Sequence, residues 1–79
     1  MSEQEWINIF GDNLRDFIDE RGMTQRELAD DSGLAESSIS DYVNQRRMPT
    51  VRAIINLAYA LDLSVEEFAD FIDFGERIY

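Results

Sequence analysis

The apolar residues of this chain recur at three- and four-residue intervals almost throughout and do not alternate. Trp6, Phe10, Leu14, Phe17 and Ile18 set the pattern, which places them on one side of a helix and leaves no strand signal to compete. The spacing predicts a first helix over about 4–21. Gly22 supplies a stop, and Thr24 with Glu27 forms a capping-box pair that restarts the chain as a helix over about 25–32, carrying Leu28 and Ala29. Gly33 punctuates again, and Ile39, Tyr42 and Val43 mark the inner face of a third helix over about 36–43. Asn44 to Pro49 reads as a polar, basic loop. Thr50 is placed to cap a fourth helix whose inner face is Val51, Ile54, Ile55, Leu57, Ala58 and Leu61, and Ser64 with Glu67 opens a fifth. The expected fold is all-α, a compact five-helix bundle forming one domain over residues 1–79.

Composition narrows the function. The 79 residues, 44% of them apolar, suffice for one small core and leave no room for a second domain. Cysteine and histidine are both absent, which removes thiolate nucleophiles, imidazole bases, disulfides and the usual zinc ligands together, so no enzyme, metal or cofactor is expected. Glu66, Glu67, Asp70 and Asp73 sit at helical spacing beside an apolar stripe and read as a solvated face rather than a catalytic pair. Asp30-Asp31-Ser32-Gly33 lacks the alternating ligands of a calcium loop. No apolar run approaches the roughly 18 residues of a membrane span, and the expectation is a cytoplasmic protein without membrane association.

The net charge is −10, and all seven basic residues are arginine. Residues 1–20 and 53–79 each sum to −5, whereas residues 44–52 carry +3 from Arg46, Arg47 and Arg52. One short stretch is therefore basic inside an acidic shell, which allows a localised anion-binding site and excludes a basic tail.

Two short helices joined by a tight glycine turn, the second led by small polar residues, describe a helix-turn-helix over 25–44, the unit that sets its second helix in the major groove of DNA. The run Thr24-Gln25-Arg26-Glu27-Leu28-Ala29-Asp30-Asp31-Ser32-Gly33-Leu34, then Ile39-Ser40 and Asn44, closely resembles the Cro and phage-repressor type, also called XRE. Pro49-Thr50 and the stretch from Leu57 to Phe68 resemble that family's fourth and fifth helices, so the likeness covers about residues 14–69 and leaves terminal extensions at 1–13 and 70–79. It implies a lambda-repressor-like fold and a bacterial or phage transcriptional regulator binding double-stranded DNA, as a homodimer on a two-fold symmetric site. The residues also make physical sense alone. Ala29 is small where two helices cross, and Gly33 suits a turn with positive φ.

With Ile39 and Tyr42 inward, the helical period turns Glu36, Ser37, Ser40 and Asp41 outward. By resemblance these positions contact base edges. Chemically, either acid could accept from cytosine N4 and either serine could bond donors or acceptors, while a solvated acidic face is the plainer reading. Phosphate contacts are expected from Gln25 at the start of helix 2 and from Asn44, Arg46 and Arg47 after helix 3, with charge neutralisation as the alternative role for the arginines.

Three positions depart from the family pattern. The resemblance implies a buried Arg–Glu pair between helices 1 and 3 where this chain has Ile18 and Val43, an apolar substitute expected to preserve the contact. Ala35 stands where a Ser or Thr cap is usual, and Gln45 where Gly is frequent. The ends are also unusually apolar. Trp6, Ile7 and Ile9 precede the family match, and Phe71, Phe74, Ile78 and Tyr79 follow it, which suggests either a lid over helix 1 or a homodimer built on helix 5 and the tail. The competing function is an acidic helix-turn-helix module that binds a protein, and a protein antagonist is a further candidate partner.

Overall fold

The computed structural model describes residues 2–64, and within them the chain is all-helical: α1 (Glu3–Glu20), α2 (Gln25–Ser32), α3 (Glu36–Val43) and α4 (Val51–Ala60). Four helices thus stand where the sequence predicts five. The expected fifth, with Phe71, Phe74, Ile78 and Tyr79, lies outside the described residues.

The helix starts are chemically specified. Ser2 accepts from the Glu5 N–H at the head of α1, and Thr50 accepts from the Ala53 N–H at the head of α4. The Thr24–Glu27 capping box forms in both directions, hydroxyl to N–H at 3.1 Å and carboxylate to N–H at 3.0 Å. Such caps each contribute about 0.5–2 kcal/mol. Only α3 lacks one, because Ala35 has no side-chain acceptor.

Three helices end alike. Beyond α1, α3 and α4 the residue after the C-cap is left-handed, and paired backbone bonds close the turn as in a Schellman motif. Gly22 takes this place after α1 (φ 62°), Gln45 after α3 (φ 61°) and Asp62 after α4 (φ 58°). Met23, Arg46 and Leu63 then donate back to Ile18, Asp41 and Ala58 at 3.1, 2.8 and 2.8 Å. Gln45, at the position where the family often has Gly, thus adopts a glycine-type conformation without glycine.

One core joins all four helices. Phe10, Leu14, Leu28, Ile39, Leu57 and Leu61 are fully buried, each stabilising by about 1.5–3 kcal/mol relative to exposure. Trp6 and Ile7 are buried as well, and Trp6 stacks on Phe10 at 5.4 Å, which in turn meets the Tyr42 ring edge-on at 6.1 Å. The N-terminal extension thus packs into the core rather than forming an outer patch, although Ile9 is partly exposed. At the far end Arg21 lies over the Phe17 ring and donates to the Leu61 carbonyl at 2.7 Å, tying the end of α1 to the end of α4.

The inner face expected for α4 needs correction. Val51 is 73% and Ile55 48% exposed, while Ala53, Leu57, Ala58 and Leu61 are buried and Ile54 packs partly against them. Two rows at four-residue spacing compete on this helix, Ala53-Leu57-Leu61 and Val51-Ile55-Tyr59, about 200° apart around the axis. Both are apolar, so periodicity alone could not choose between them. Packing against α2 decides it, and leaves Val51, Ile55 and Tyr59 as an outward stripe.

Candidate nucleic-acid interface

The turn between α2 and α3 is only Gly33-Leu34-Ala35, with Gly33 at φ 72°, a conformation that costs residues with a Cβ about 1–2 kcal/mol. The buried Ser32 hydroxyl donates to the Ala29 carbonyl and accepts from the Leu34 N–H, so the turn carries no unsatisfied buried side-chain group. Leu28 and Ala29 of α2 and Ile39, Tyr42 and Val43 of α3 all enter the one buried core the two helices share. This junction fixes which side of α3 is left facing out.

On that side Glu36 and Ser37 are exposed and have no hydrogen-bond or ion-pair partner among the described residues. Ser40 and Asp41 are half-buried and already engaged. The Asn44 side-chain amide donates to the Ser40 carbonyl at 2.9 Å and to its hydroxyl at 3.2 Å, and Asp41 lies 3.9 Å from the Arg46 guanidinium. The four expected readers therefore share one face but divide into a free pair and an occupied pair.

The loop after α3 is held from several directions. Gln45 donates its amide to the Asp12 carboxylate at 2.7 Å, and its carbonyl accepts from the Gln4 side chain at 3.5 Å. Gly11 makes this approach possible: a Cβ there would stand 2.6 Å from the Tyr42 carbonyl oxygen and 2.7 Å from Gln45 Cγ. Arg47 packs over the Tyr42 ring at 5.2 Å, worth about 0.5–1 kcal/mol at an exposed site. Arg46 and Arg47 remain exposed to solvent, each with its guanidinium beside one α3 side chain, Asp41 and Tyr42 respectively. Arg52, also exposed, is the second residue of α4 and lies nearby in sequence.

Gln25 and Asn44, far apart in sequence, line one open cleft of about 290 Å³ between α1, α2 and α3. Arg15 and Asp19 line it too, with the buried Ile18 and Val43 among its walls. Ile18 and Val43 are thus brought to the same place, as an apolar pair. Arg15 was not legible as a site residue: on α1 it reads as one charge on an acidic helix, and only the tertiary fold carries its guanidinium to the Val43 carbonyl, at 3.4 Å. The Gln45–Asp12 and Arg47–Tyr42 contacts carried no sequence signal either.

Among the described residues no group of three or more acidic, histidine or cysteine side chains could hold a metal, and no helix is long and apolar enough to cross a membrane. What the surface offers is a short helix with two free polar side chains at its start, followed by a hydrogen-bonded loop bearing two arginines.

Comparison with known proteins agrees with this geometry. A family model described as helix-turn-helix matches residues 14–68. An uncharacterised HTH-type transcriptional regulator of Sinorhizobium fredii, y4dJ, is 35% identical over 72 residues, covering 87% of this chain and 94% of that protein. The crystal structure of the restriction-modification controller protein C.AhdI from Aeromonas hydrophila superposes with a TM-score of 0.74 at 32% identity, covering 78% of this chain and 94% of that one.

Proposed function

Because this chain belongs to the XRE-type helix-turn-helix family of DNA-binding transcriptional regulators, we propose that it acts in the cytoplasm as a sequence-specific homodimer, with α3 in the major groove of a two-fold symmetric site. Glu36 and Ser37 approach base edges first, as acceptor and as donor or acceptor, and Ser40 and Asp41 follow from the next turn of the same face. Arg46 and Arg47 grip the flanking phosphates, joined by Gln25. Asn44 contributes chiefly by holding Ser40, since its amide nitrogen is already spent there. The observation that carries this reading is the placement of Arg46 and Arg47 on a Schellman-closed loop directly after the exposed face of α3.

The net charge of −10 does not defeat it. A carboxylate ~6 Å from a phosphate costs about 0.7 kcal/mol in water, and charges beyond the Debye length of about 8 Å are largely screened. Only Glu36 and Asp41 stand on the reading face itself. The expected behaviour is weak non-specific binding, with specificity resting on two half-sites engaged together. We assign the dimer contact to the segment the sequence predicts as a fifth helix and to the tail residues Phe71, Phe74, Ile78 and Tyr79. The Val51-Ile55-Tyr59 stripe lies on the helix that precedes that segment and adds exposed apolar surface.

Selection of random duplex DNA by the purified protein, against an Arg46→Glu/Arg47→Glu control, tests the proposal. Enrichment of a symmetric motif that the control loses is expected. Failure to enrich any sequence down to low salt would overturn it and leave the protein-binding module as the reading to pursue.

A further inference from the structure

Resting on the DNA-binding reading, we propose that Arg15 is a DNA-backbone contact and that the cleft it lines seats one phosphate of the bound duplex. Three features of the cleft converge on an anion. Arg15 is exposed and has no carboxylate within 4.0 Å among the described residues; its one partner there is the Val43 carbonyl at 3.4 Å. A guanidinium has five N–H donors, so most of its capacity remains for a planar, paired grip on phosphate oxygens.

The second feature is the start of α2. Thr24 and Glu27 satisfy each other's N–H groups through the capping box, which leaves the N–H groups of Gln25 and Arg26 directed out of the helix without an intrahelical partner. Gln25 itself lines the cleft together with Arg15. The third is the wall behind them. Ile18 and Val43 are 5% and 4% exposed and carry no charge, so an anion in the cleft meets donors in front and a low-dielectric surface behind, which strengthens each interaction.

The cleft is roomy enough. At about 290 Å³ it exceeds by roughly tenfold the ~30 Å³ share of one liquid water, and it is open on one side, as a phosphate still attached to its duplex requires. It also lies between the end of α3, which leads into the Arg46-Arg47 loop, and the start of α2, so one strand passing the loop could reach it. Asp19 is the opposing charge. One turn along α1 from Arg15, it lines the same cleft and weakens anion binding there, which makes the seat a tuned one rather than a maximally tight one.

Binding of duplex DNA measured as a function of salt, for the full chain and its variants, decides the matter. One phosphate contact corresponds to about 0.9 in the slope of log K against log salt, so Arg15→Gln should lower the slope by about that amount and lose about 3.5-fold more affinity at 50 mM than at 200 mM salt. Arg15→Lys keeps the charge and should keep the slope. Asp19→Asn should tighten binding about threefold, the effect of removing one carboxylate ~6 Å from a phosphate in water. An unchanged slope in a folded Arg15→Gln protein overturns the assignment while leaving the DNA-binding reading in place. A wild-type protein that binds no duplex at any salt ends both. Should Arg15→Gln fail to fold through loss of the Val43 bond, Asp19→Asn decides instead: tighter binding supports the seat and unchanged binding overturns it.

Discussion

The two ends of α3 are built on opposite principles. At its start, Ala35 offers no cap, and the Glu36 and Ser37 side chains have no hydrogen-bond or ion-pair partner among the described residues. At its end almost every group is tied: Asn44 to Ser40, Arg46 to Asp41, Gln45 to Asp12, Arg47 to Tyr42, and Arg15 to the last carbonyl of the helix. The helix is thus left unsatisfied where it would meet bases and fixed where it would meet the backbone. On the proposed reading, the tied end would set the register on DNA and the free end would keep its donors and acceptors for discrimination. Stability is given up at one end and concentrated at the other.

The largest expected effect comes from breaking the fixed end. Gly11→Ala would drive a methyl group against the Tyr42 carbonyl and Gln45 Cγ, one a backbone atom that cannot swing aside. The helix-propensity gain of about 1 kcal/mol is opposed by overpacking of typically about 1–3 kcal/mol. We expect a net loss of stability in urea unfolding and a weakening of DNA binding beyond it, because the Arg46-Arg47 loop must shift. An unchanged midpoint would show that the loop is not held by its fit against α1.

Much of this architecture was legible in the sequence, and the reasons for the rest are specific. Thr24, Glu27, Gly33 and Thr50 act through neighbours within four residues, so their roles follow from local pattern. The buried face of α3 was equally readable, since only one of its faces is apolar. On α4 both faces are, and only the partner helix could decide that Val51 and Ile55 turn outward. The fixed end of α3 was the least readable part. Gln45 reaches the Asp12 carboxylate and Arg15 the Val43 backbone carbonyl across 33 and 28 residues, between residues whose types announce nothing about each other.

The free end should respond in the opposite direction. Ala35 already has the extended backbone of a cap residue, φ −70° and ψ 142°, so Ala35→Ser places a hydroxyl where the α3 N–H groups lack an acceptor. The expected gain is about 1 kcal/mol in urea unfolding. No gain would mean that the start of α3 is not the weak end after all. A smaller effect should follow from loosening the link between the reading face and the anchor. Asp41→Asn removes the carboxylate beside Arg46 and also a negative charge from the face proposed to meet the groove. With Arg46 exposed, Asp41 half-exposed and 3.9 Å between them, the ion pair itself is worth little, so stability should barely change. Affinity for non-specific duplex should rise about threefold at low salt. A fall would show that Asp41 serves to position Arg46 rather than to restrain it.

Gln45→Gly should have the smallest effect alone and the most informative one in combination. Glycine removes the left-handed cost of about 1–2 kcal/mol at φ 61°. Against this stand a more flexible unfolded chain, about 0.4–1 kcal/mol, and the lost bond to Asp12, about 0.5–1.5 kcal/mol. The Gln4 bond survives, since it is made to the backbone carbonyl. The terms nearly cancel, and the single variant should lie within about 0.5 kcal/mol of wild type. In an Asp12→Ala background the bond is already gone, so the same Gln45→Gly change should become stabilising, by up to about 1 kcal/mol. Equal effects in the two backgrounds would mean that Asp12 contributes nothing to holding residue 45, and that the rigidity of the anchoring end comes from the Schellman turn alone.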